Sequence, residues 1–271
     1  EVRNNISKIF NMKGKEFWTA RVLSVLSGVL LTVGFPALQF HQVSWIALIP
    51  LFFALRGKSG KEALFLGYVC GLVHNFTVFF WIRHVIYHYG GLPLPVAISI
   101  LLVLCIYLAV YPACFAFFAR WWKARPLLWT VGLPCVWVVL EFVRAYAVTG
   151  FPWSNLGYTQ TPLSTLIQFA DIAGVYGISW LVVLGNTVLM TCIDGERTVM
   201  KRIAGLGVLA VCILAALIYG TGRVKEVMGL QEKAVPLQVA VIQGNIDQSQ
   251  KWNPAFQQET LRRYRELSMK A

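Results

Sequence analysis

Long intervals without a charged residue constrain this chain more than any other feature of its sequence. A membrane-spanning helix needs about 20 consecutive apolar residues. Backbone polar groups in hydrocarbon must also be satisfied within the spanning segment, which favours helices over open sheets. We therefore predict an α-helical polytopic membrane bundle. The charge-free intervals lie between Arg21 and Arg56, Glu62 and Arg83, Arg83 and Arg120, Asp171 and Asp194, and Arg202 and Arg223.

The composition agrees with this prediction and changes the meaning of the net charge. Hydrophobic residues make up 57% of the chain and charged residues only 13%, whereas a soluble domain carries about 25% charged residues. A net charge of +12 would indicate a nucleic-acid partner in a soluble protein. Here the basic residues lie between apolar runs, so we predict a membrane protein that binds no nucleic acid.

About seven transmembrane helices are predicted, at residues 18–36, 40–55, 63–82, 93–119, 126–148, 171–193 and 203–222. The second is the weakest, because it is short and contains Pro50. It is retained because the basic residues before the last span, apart from Arg83, then fall on one side of the membrane. The positive-inside rule places that side in the cytoplasm, so we expect a cytoplasmic N-terminus and an extracytoplasmic chain after Gly222. The basic residues are Arg3, Lys8, Lys13, Lys15, Arg21, Arg56, Lys58, Lys61, Arg120, Lys123, Arg125, Arg197, Lys201 and Arg202.

Residues 1–222 are thus predicted to form the bundle, and residues 223–271 to belong to a different unit. Residues 236–243 are short, apolar and β-branched, which predicts a buried strand. Asn253 and Pro254 are typical of a helix start, so a helix is expected at residues 253–269. One strand and one helix bury too little surface to fold alone. We therefore expect the beginning of an incomplete extracytoplasmic α/β domain, and a chain that is a fragment.

Glu141 and Arg144 lie inside the fifth predicted span, three positions apart on one helical face. Charges inside a membrane are costly and are usually paired or functional. A structural ion pair that holds the bundle is the favoured interpretation, and a functional role is the alternative. The following residues 149–160, here called the aromatic loop, are charge-free and rich in aromatic residues and turn formers. This loop either packs beneath the outer domain or forms a lipid-facing platform at a site, and the sequence does not separate the two.

No metal, cofactor or cysteine nucleophile is predicted. His84 and His88 are four residues apart, but a zinc site needs at least a third ligand, and tyrosines rather than acidic residues flank them. All six cysteines lie in apolar spans, where a thiol behaves as a small hydrophobic group. Tryptophans near predicted span ends, among them Trp81 and Trp129, are interpreted as an interfacial belt.

Two separated motifs resemble the bacterial apolipoprotein N-acyltransferases. The first is Glu141-Phe142-Val143-Arg144 followed by Thr149-Gly150-Phe151-Pro152-Trp153, Gly157-Tyr158 and Gln160. The second is Val241-Ile242-Gln243-Gly244-Asn245-Ile246-Asp247-Gln248-Ser249-Gln250-Lys251-Trp252, placed just after the last predicted span. The resemblance covers the whole chain but only about the first half of a family member. The chain departs from the family where Asn245-Ile246-Asp247 replaces the common Asp-Ile-Pro.

The resemblance implies a membrane bundle that carries a nitrilase-like domain on its outer face. In the family, a Glu-Lys-Cys triad passes an acyl chain from a phospholipid, through a Cys thioester, to the N-terminal diacylglyceryl-Cys of an apolipoprotein. That triad is expected beyond Ala271, so no catalytic residue is assigned here and the fragment is expected to be inactive. The substrate and lipid entrance implied by the motifs comprises Trp153 and Trp252, with Phe151, Tyr158, Gln243 and Asn245 as weaker candidates. A monomer in the bacterial inner membrane is expected.

Two other functions remain open at this point. A transporter or channel would use Glu141 and Arg144 to line a path, although such proteins usually show internal repeats and interrupted helices. A catalytically dead membrane scaffold would need no downstream domain.

Overall fold

The structure, a computed structural model, describes residues 2–36, 38–195 and 197–271, and its account of side chains omits residues 2–15 and Ser249. Four basic residues of the predicted cytoplasmic arm, Arg3, Lys8, Lys13 and Lys15, therefore lie outside the described side chains.

The described residues form helices joined by turns and loops. The α-helices are α1 (Val2–Val33), α2 (Ile49–Ala54), α3 (Gly60–Val78), α4 (Ile82–His84), α5 (Leu94–Leu108), α6 (Val110–Trp122), α7 (Leu133–Tyr146), α8 (Ser164–Ile167), α9 (Ala170–Ile193), α10 (Val199–Lys233), α11 (Gln248–Lys251) and α12 (Gln257–Lys270). Short 3-10 helices lie at His41–Trp45, Leu156–Gln160 and Pro254–Phe256. π-Helical turns lie at Val85–Tyr89 and Leu128–Gly132.

Five helical stretches in the described part of the chain are long and apolar enough to cross a membrane. They are Glu16–Val33, Leu94–Trp122, Leu128–Tyr146, Ala170–Ile193 and Val199–Lys233. A sixth crossing results if Gly60–Val78 and Ile82–Tyr89, which meet at an angle of 53°, are one bent span. These stretches confirm a helical membrane bundle.

The predicted second span is not a continuous helix. Residues 40–55 contain the 3-10 helix His41–Trp45 and the short α2, with a break between them. Asn186 of α9 satisfies backbone groups at this break, since its Nδ2 donates to the Ser44 carbonyl (2.8 Å) and its Oδ1 accepts from the Leu48 N–H (2.9 Å). Because a buried side chain replaces the missing helical hydrogen bonds, the chain can be irregular inside the bundle.

Two contacts between α1 and α3 show that these helices run in the same direction. The guanidinium of Arg21, in the middle of α1, lies 5.1 Å from the ring centroid of Phe65, near the beginning of α3. Near their ends, Thr32 Oγ1 lies 2.7 Å from Thr77 Oγ1. The broken segment between α1 and α3 therefore leads the chain from one end of the bundle back to the other.

Small residues set the spacing between α3 and α6. A Cβ atom at Gly67 would lie 2.5 Å from the Ala116 Cβ and 2.5 Å from the Pro112 carbonyl oxygen. A Cβ atom at Gly71 would lie 2.9 Å from the Pro112 Cγ and 3.0 Å from the Ala109 Cα. Close approach of helix backbones through small residues is typical of helix pairs in membranes. The α3–α6 pair therefore depends on the absence of a side chain at Gly67.

The prediction of a strand at residues 236–243 was wrong for the structure as described. The segment has no regular secondary structure and is largely exposed, and no strand is present among the described residues. A strand needs a neighbour to bond its backbone groups, and no described backbone hydrogen bond joins this segment to another. The predicted helix is confirmed: Asn253 Oδ1 caps the Ala255 N–H (3.0 Å), and a 3-10 turn leads into α12.

Helix α10 continues through the proposed boundary at residue 222 and ends at Lys233. Residues 223–233, predicted to belong to the outer unit, are therefore a helical extension of the last span. The division at residues 222 and 223 itself stays a prediction.

Candidate functional site

The aromatic loop is held to the bundle by two buried charged residues of α7. Glu141 and Arg144 are only 4% and 8% exposed. Glu141 Oε1 accepts hydrogen bonds from the Leu156 N–H (2.7 Å) and from Trp137 Nε1 (2.9 Å). Arg144 donates from its guanidinium to Asn155 Oδ1 (2.8 Å). The two charged side chains thus bind two consecutive residues of the loop, Arg144 to Asn155 and Glu141 to Leu156.

The predicted ion pair is not made directly. Glu141 and Arg144 are both described, and no hydrogen bond or ion pair joins their side chains. The physical reason is that the loop supplies better-placed partners: a backbone N–H for the carboxylate and an amide oxygen for the guanidinium. Hydrogen bonds to charged groups are stronger than those between neutral groups. The two residues therefore anchor the loop rather than each other.

Further contacts fix the C-terminal half of the aromatic loop. The Gly157 N–H donates to Ser179 Oγ of α9 (2.8 Å). A Cβ at Gly157 would lie 2.5 Å from the Val175 carbonyl oxygen, so a larger residue does not fit. Gln160 is fully buried, accepts from Trp45 Nε1 (3.0 Å) and donates to the His41 carbonyl (3.1 Å). The loop is therefore tied to α9 and to the broken second segment as well as to α7.

The backbone around the N-terminal half of the loop is strained. Val148, just before the loop, and Ser154 within it have φ angles of 60° and 57°, and Gly150 between them has a φ of 77°. This left-handed region is unfavourable for residues other than glycine, and for a β-branched residue such as Val148 in particular. Such conformations persist only where surrounding contacts enforce them, and they are frequent at functional sites.

Aromatic rings pack together at this half of the loop. Trp153 is 49% exposed and stacks on Trp81, with ring centroids 5.4 Å apart. Phe151 lies between Trp153 (5.5 Å) and Phe79 (4.9 Å). The loop thereby extends an aromatic surface that begins at the end of α3.

A cavity of about 490 Å³ lies beside these rings. Its lining is mainly apolar, as expected for a site that takes an apolar ligand. The only hydroxyl-bearing side chains in the lining are those of Ser154, Tyr158 and Thr161, among the described residues. The lining residues are Phe35, Pro36, Val78, Phe79, Trp81, Trp153, Ser154, Tyr158 and Thr161.

The structure brings together only part of the predicted entrance. Phe151, Trp153 and Tyr158 lie at or beside the cavity. Trp252 is 78% exposed, and Gln243 and Asn245 are exposed too. No described contact joins these three residues to the aromatic loop.

Trp81 and Phe79 belong to this surface but were not predicted to do so. Trp81 was interpreted as part of an interfacial belt, yet it stacks on Trp153. The predicted topology could have indicated this proximity, because it places the end of the third span on the same side of the membrane as the aromatic loop. Trp129, assigned to the same belt, is instead buried, with its ring 4.9 Å from that of Phe52.

His84, at the end of α4, and His88, in the π-helical turn that follows, lie side by side with ring centroids 4.1 Å apart. Among the described residues, no third His, Cys, Asp or Glu joins them in a group that could hold a metal ion.

Comparison with known proteins identifies the family. The model of the apolipoprotein N-acyltransferase N-terminal domain matches residues 27–188, which include α7, the aromatic loop and most of α9. The chain belongs to this family. A multi-pass membrane protein of the apolipoprotein N-acyltransferase family accounts for both the apolar helices and the motifs.

Relatives named apolipoprotein N-acyltransferase match nearly the whole chain. The protein of Geobacter metallireducens is 42% identical over 253 residues, which are 92% of this chain and 48% of the relative. That of Vibrio vulnificus is 31% identical over 91% of this chain and 47% of the relative. That of Haemophilus influenzae is 26% identical over 97% and 50%, respectively. The chain thus spans about half the length of the curated relatives it matches.

Proposed function

We propose that this chain is the membrane part of an apolipoprotein N-acyltransferase and provides the lipid entrance of that enzyme. The complete enzyme would transfer an acyl chain from a phospholipid to the N-terminal diacylglyceryl-Cys of a lipoprotein. The main support for this proposal is the apolar cavity beside Trp153 in a chain of this family. Trp153 belongs to the aromatic loop, which Glu141 and Arg144 anchor.

The proposed reaction has two covalent steps. A cysteine thiolate beyond Ala271 attacks the ester carbonyl of the phospholipid, so that a thioester forms and a lysophospholipid leaves. The α-amine of the lipoprotein cysteine then attacks the thioester, forming an amide and returning the thiol. A Glu and a Lys beyond Ala271 would complete the triad and move the protons. The chain alone is therefore expected to be inactive.

The residues described here would bind and orient the lipid. The rings of Phe151, Trp153 and Tyr158 offer apolar and partly polar surface of the kind that suits a membrane interface. Glu141 and Arg144 would act as positioning residues, since they contact the loop rather than the cavity's ligand. Trp252, Gln243 and Asn245 are proposed to complete the entrance once the outer domain surrounds them.

We further propose seven crossings with a cytoplasmic N-terminus and a periplasmic C-terminal unit. The parallel directions of α1 and α3 support a crossing by the broken second segment. The distribution of basic residues supports the orientation. The end of the bundle that carries these basic residues, including Arg56, Lys123 and Arg197, is here called the basic end. We also propose that the protein is a monomer.

The function is tested with the full-length protein, which includes the continuation beyond Ala271. Incubated with phospholipid and a diacylglyceryl-Cys peptide, it should convert the peptide to an N-acylated product and accumulate a thioester when the peptide is omitted. Both products are detected by mass spectrometry. A folded full-length protein that forms neither product would overturn the proposed function.

Trp153→Ala is expected to slow acyl transfer about tenfold, because the loss of one stacked aromatic surface removes about 1–2 kcal/mol of lipid binding. Thermal unfolding should be nearly unchanged, since Trp153 is half exposed. Trp121→Ala is the matched control, because Trp121 is a similarly exposed tryptophan at the basic end of α6. Equal rates for the two variants would contradict the role of Trp153.

A further inference from the structure

A second cavity, of about 210 Å³, lies at the basic end, between the beginning of α10, the end of α9 and the π-helical turn before α7. Its lining is mainly apolar, with Trp129, Val131 and Val208 among the contributors. Arg197 and Lys201 are the only charged residues that line it, among those the structure describes. An apolar pocket with two cations combines the two properties of a lipid-binding site.

Neither cation is neutralised by a described carboxylate. Arg197 donates to the Lys123 carbonyl, a neutral acceptor. Lys201 is exposed and has no hydrogen bond or ion pair within the described residues. The nearby carboxylate of Asp194 lies 3.2 Å from the Arg56 guanidinium. Glu196 lies outside the described residues.

The beginning of α10 adds to the positive potential at the same place. Helix α10 starts at Val199, between Arg197 and Lys201, and its N-cap residue Thr198 makes no side-chain capping bond. The first N–H groups of a helix and the positive end of its dipole favour an anion. This end therefore supports the two side chains, although it would not define a site alone.

We propose that this cavity binds one anionic phospholipid from the leaflet at the basic end of the bundle. The phosphate contacts Arg197 and Lys201, and an acyl chain lies along Trp129 and Val208. Basic pockets between membrane helices select anionic head groups in this way. A zwitterionic lipid binds more weakly, because its ammonium group faces the same cations.

This site is distinct from the proposed lipid entrance. The cavity is at the beginning of α10, whereas Gly220, towards the other end of α10, packs against Thr165, just after the aromatic loop. The inference goes beyond acyl transfer and holds whether or not that function is correct.

The test measures lipid binding to the purified chain in detergent by native mass spectrometry. Phosphatidylglycerol and phosphatidylethanolamine with identical acyl chains are titrated separately. We expect one phosphatidylglycerol to bind more tightly than phosphatidylethanolamine. Lys201→Gln should weaken phosphatidylglycerol binding about fivefold, since a basic residue near a membrane surface contributes about 1 kcal/mol.

Two further variants separate this site from general surface charge. Lys61→Gln is the matched control, because Lys61 is also an exposed lysine at the basic end but does not line the cavity; it should leave both affinities unchanged. Ala204→Trp fills the cavity and should weaken binding of both lipids. Equal affinities for the two lipids, equal losses in Lys201→Gln and Lys61→Gln, or no loss in Ala204→Trp would overturn the proposal. Thermal unfolding confirms that each variant is folded.

Discussion

Replacing Glu141 with alanine is expected to lower the free energy of unfolding of the bundle by about 3–5 kcal/mol, the range for breaking a buried charged network by removing one partner. The substitution leaves the buried Arg144 without its nearest negative charge. It also leaves the Leu156 N–H and Trp137 Nε1 without their acceptor. The aromatic loop should consequently detach from α7.

The loss is measured by thermal unfolding in detergent, and loop detachment by the rate of chymotrypsin cleavage next to Trp153 and Tyr158. Glu141→Gln should fall between wild type and Glu141→Ala, because its amide oxygen keeps the acceptor but not the charge. Glu226→Ala is the control: its carboxylate lies 2.9 Å from Arg223 and is exposed, so its loss should change little. If Glu141→Ala unfolds at the wild-type temperature with its loop still protected, the anchoring role is wrong.

Replacing Gly67 with leucine should destabilise the bundle by about 3 kcal/mol, towards the upper end of the range for overpacking a close contact. Even a Cβ at this position would meet Ala116 and the Pro112 carbonyl at 2.5 Å. Because one of these atoms belongs to the backbone, α3 and α6 must move apart. The effect should appear as a lower unfolding temperature and a lower yield of folded protein in detergent.

Gly207→Leu provides the comparison for this variant. Gly207 also lies within a membrane helix, α10, but a Cβ there meets no atom within 4 Å. The same change in helix propensity and hydrophobicity is therefore made without a clash. Similar unfolding temperatures for Gly67→Leu and Gly207→Leu would show that the α3–α6 spacing is not critical.

The helical bundle was predictable from sequence because a long charge-free run has few alternatives in a membrane. The interruption of the second segment was not, although Pro50 and its short length were warnings. What makes the break tolerable is Asn186, which is 138 residues away from Leu48 and supplies its hydrogen bond. A pattern of neighbouring residues does not contain that contact.

At residues 236–243 the converse occurred: the local pattern predicted a strand, but the strand did not form. Its apolar, β-branched composition favours a strand, but a strand forms only where a neighbouring segment bonds to its backbone. The helix capped by Asn253 formed as predicted, because capping is a contact between residues close in sequence. Local signals were therefore dependable where the partner was also local.

In the candidate site, too, the local features were predictable from sequence and the long-range contacts were not. The sequence alone determined that Glu141 and Arg144 share a helical face inside the membrane and that an aromatic loop follows them, since both facts depend on spacing. Only the tertiary structure decided that each charge bonds to the loop instead of to the other, and that Trp81 stacks on Trp153. Those outcomes depend on which groups lie within about 3 Å for a hydrogen bond or about 5 Å for stacked rings. Distances of that kind arise from the packing of helices that are remote in the chain.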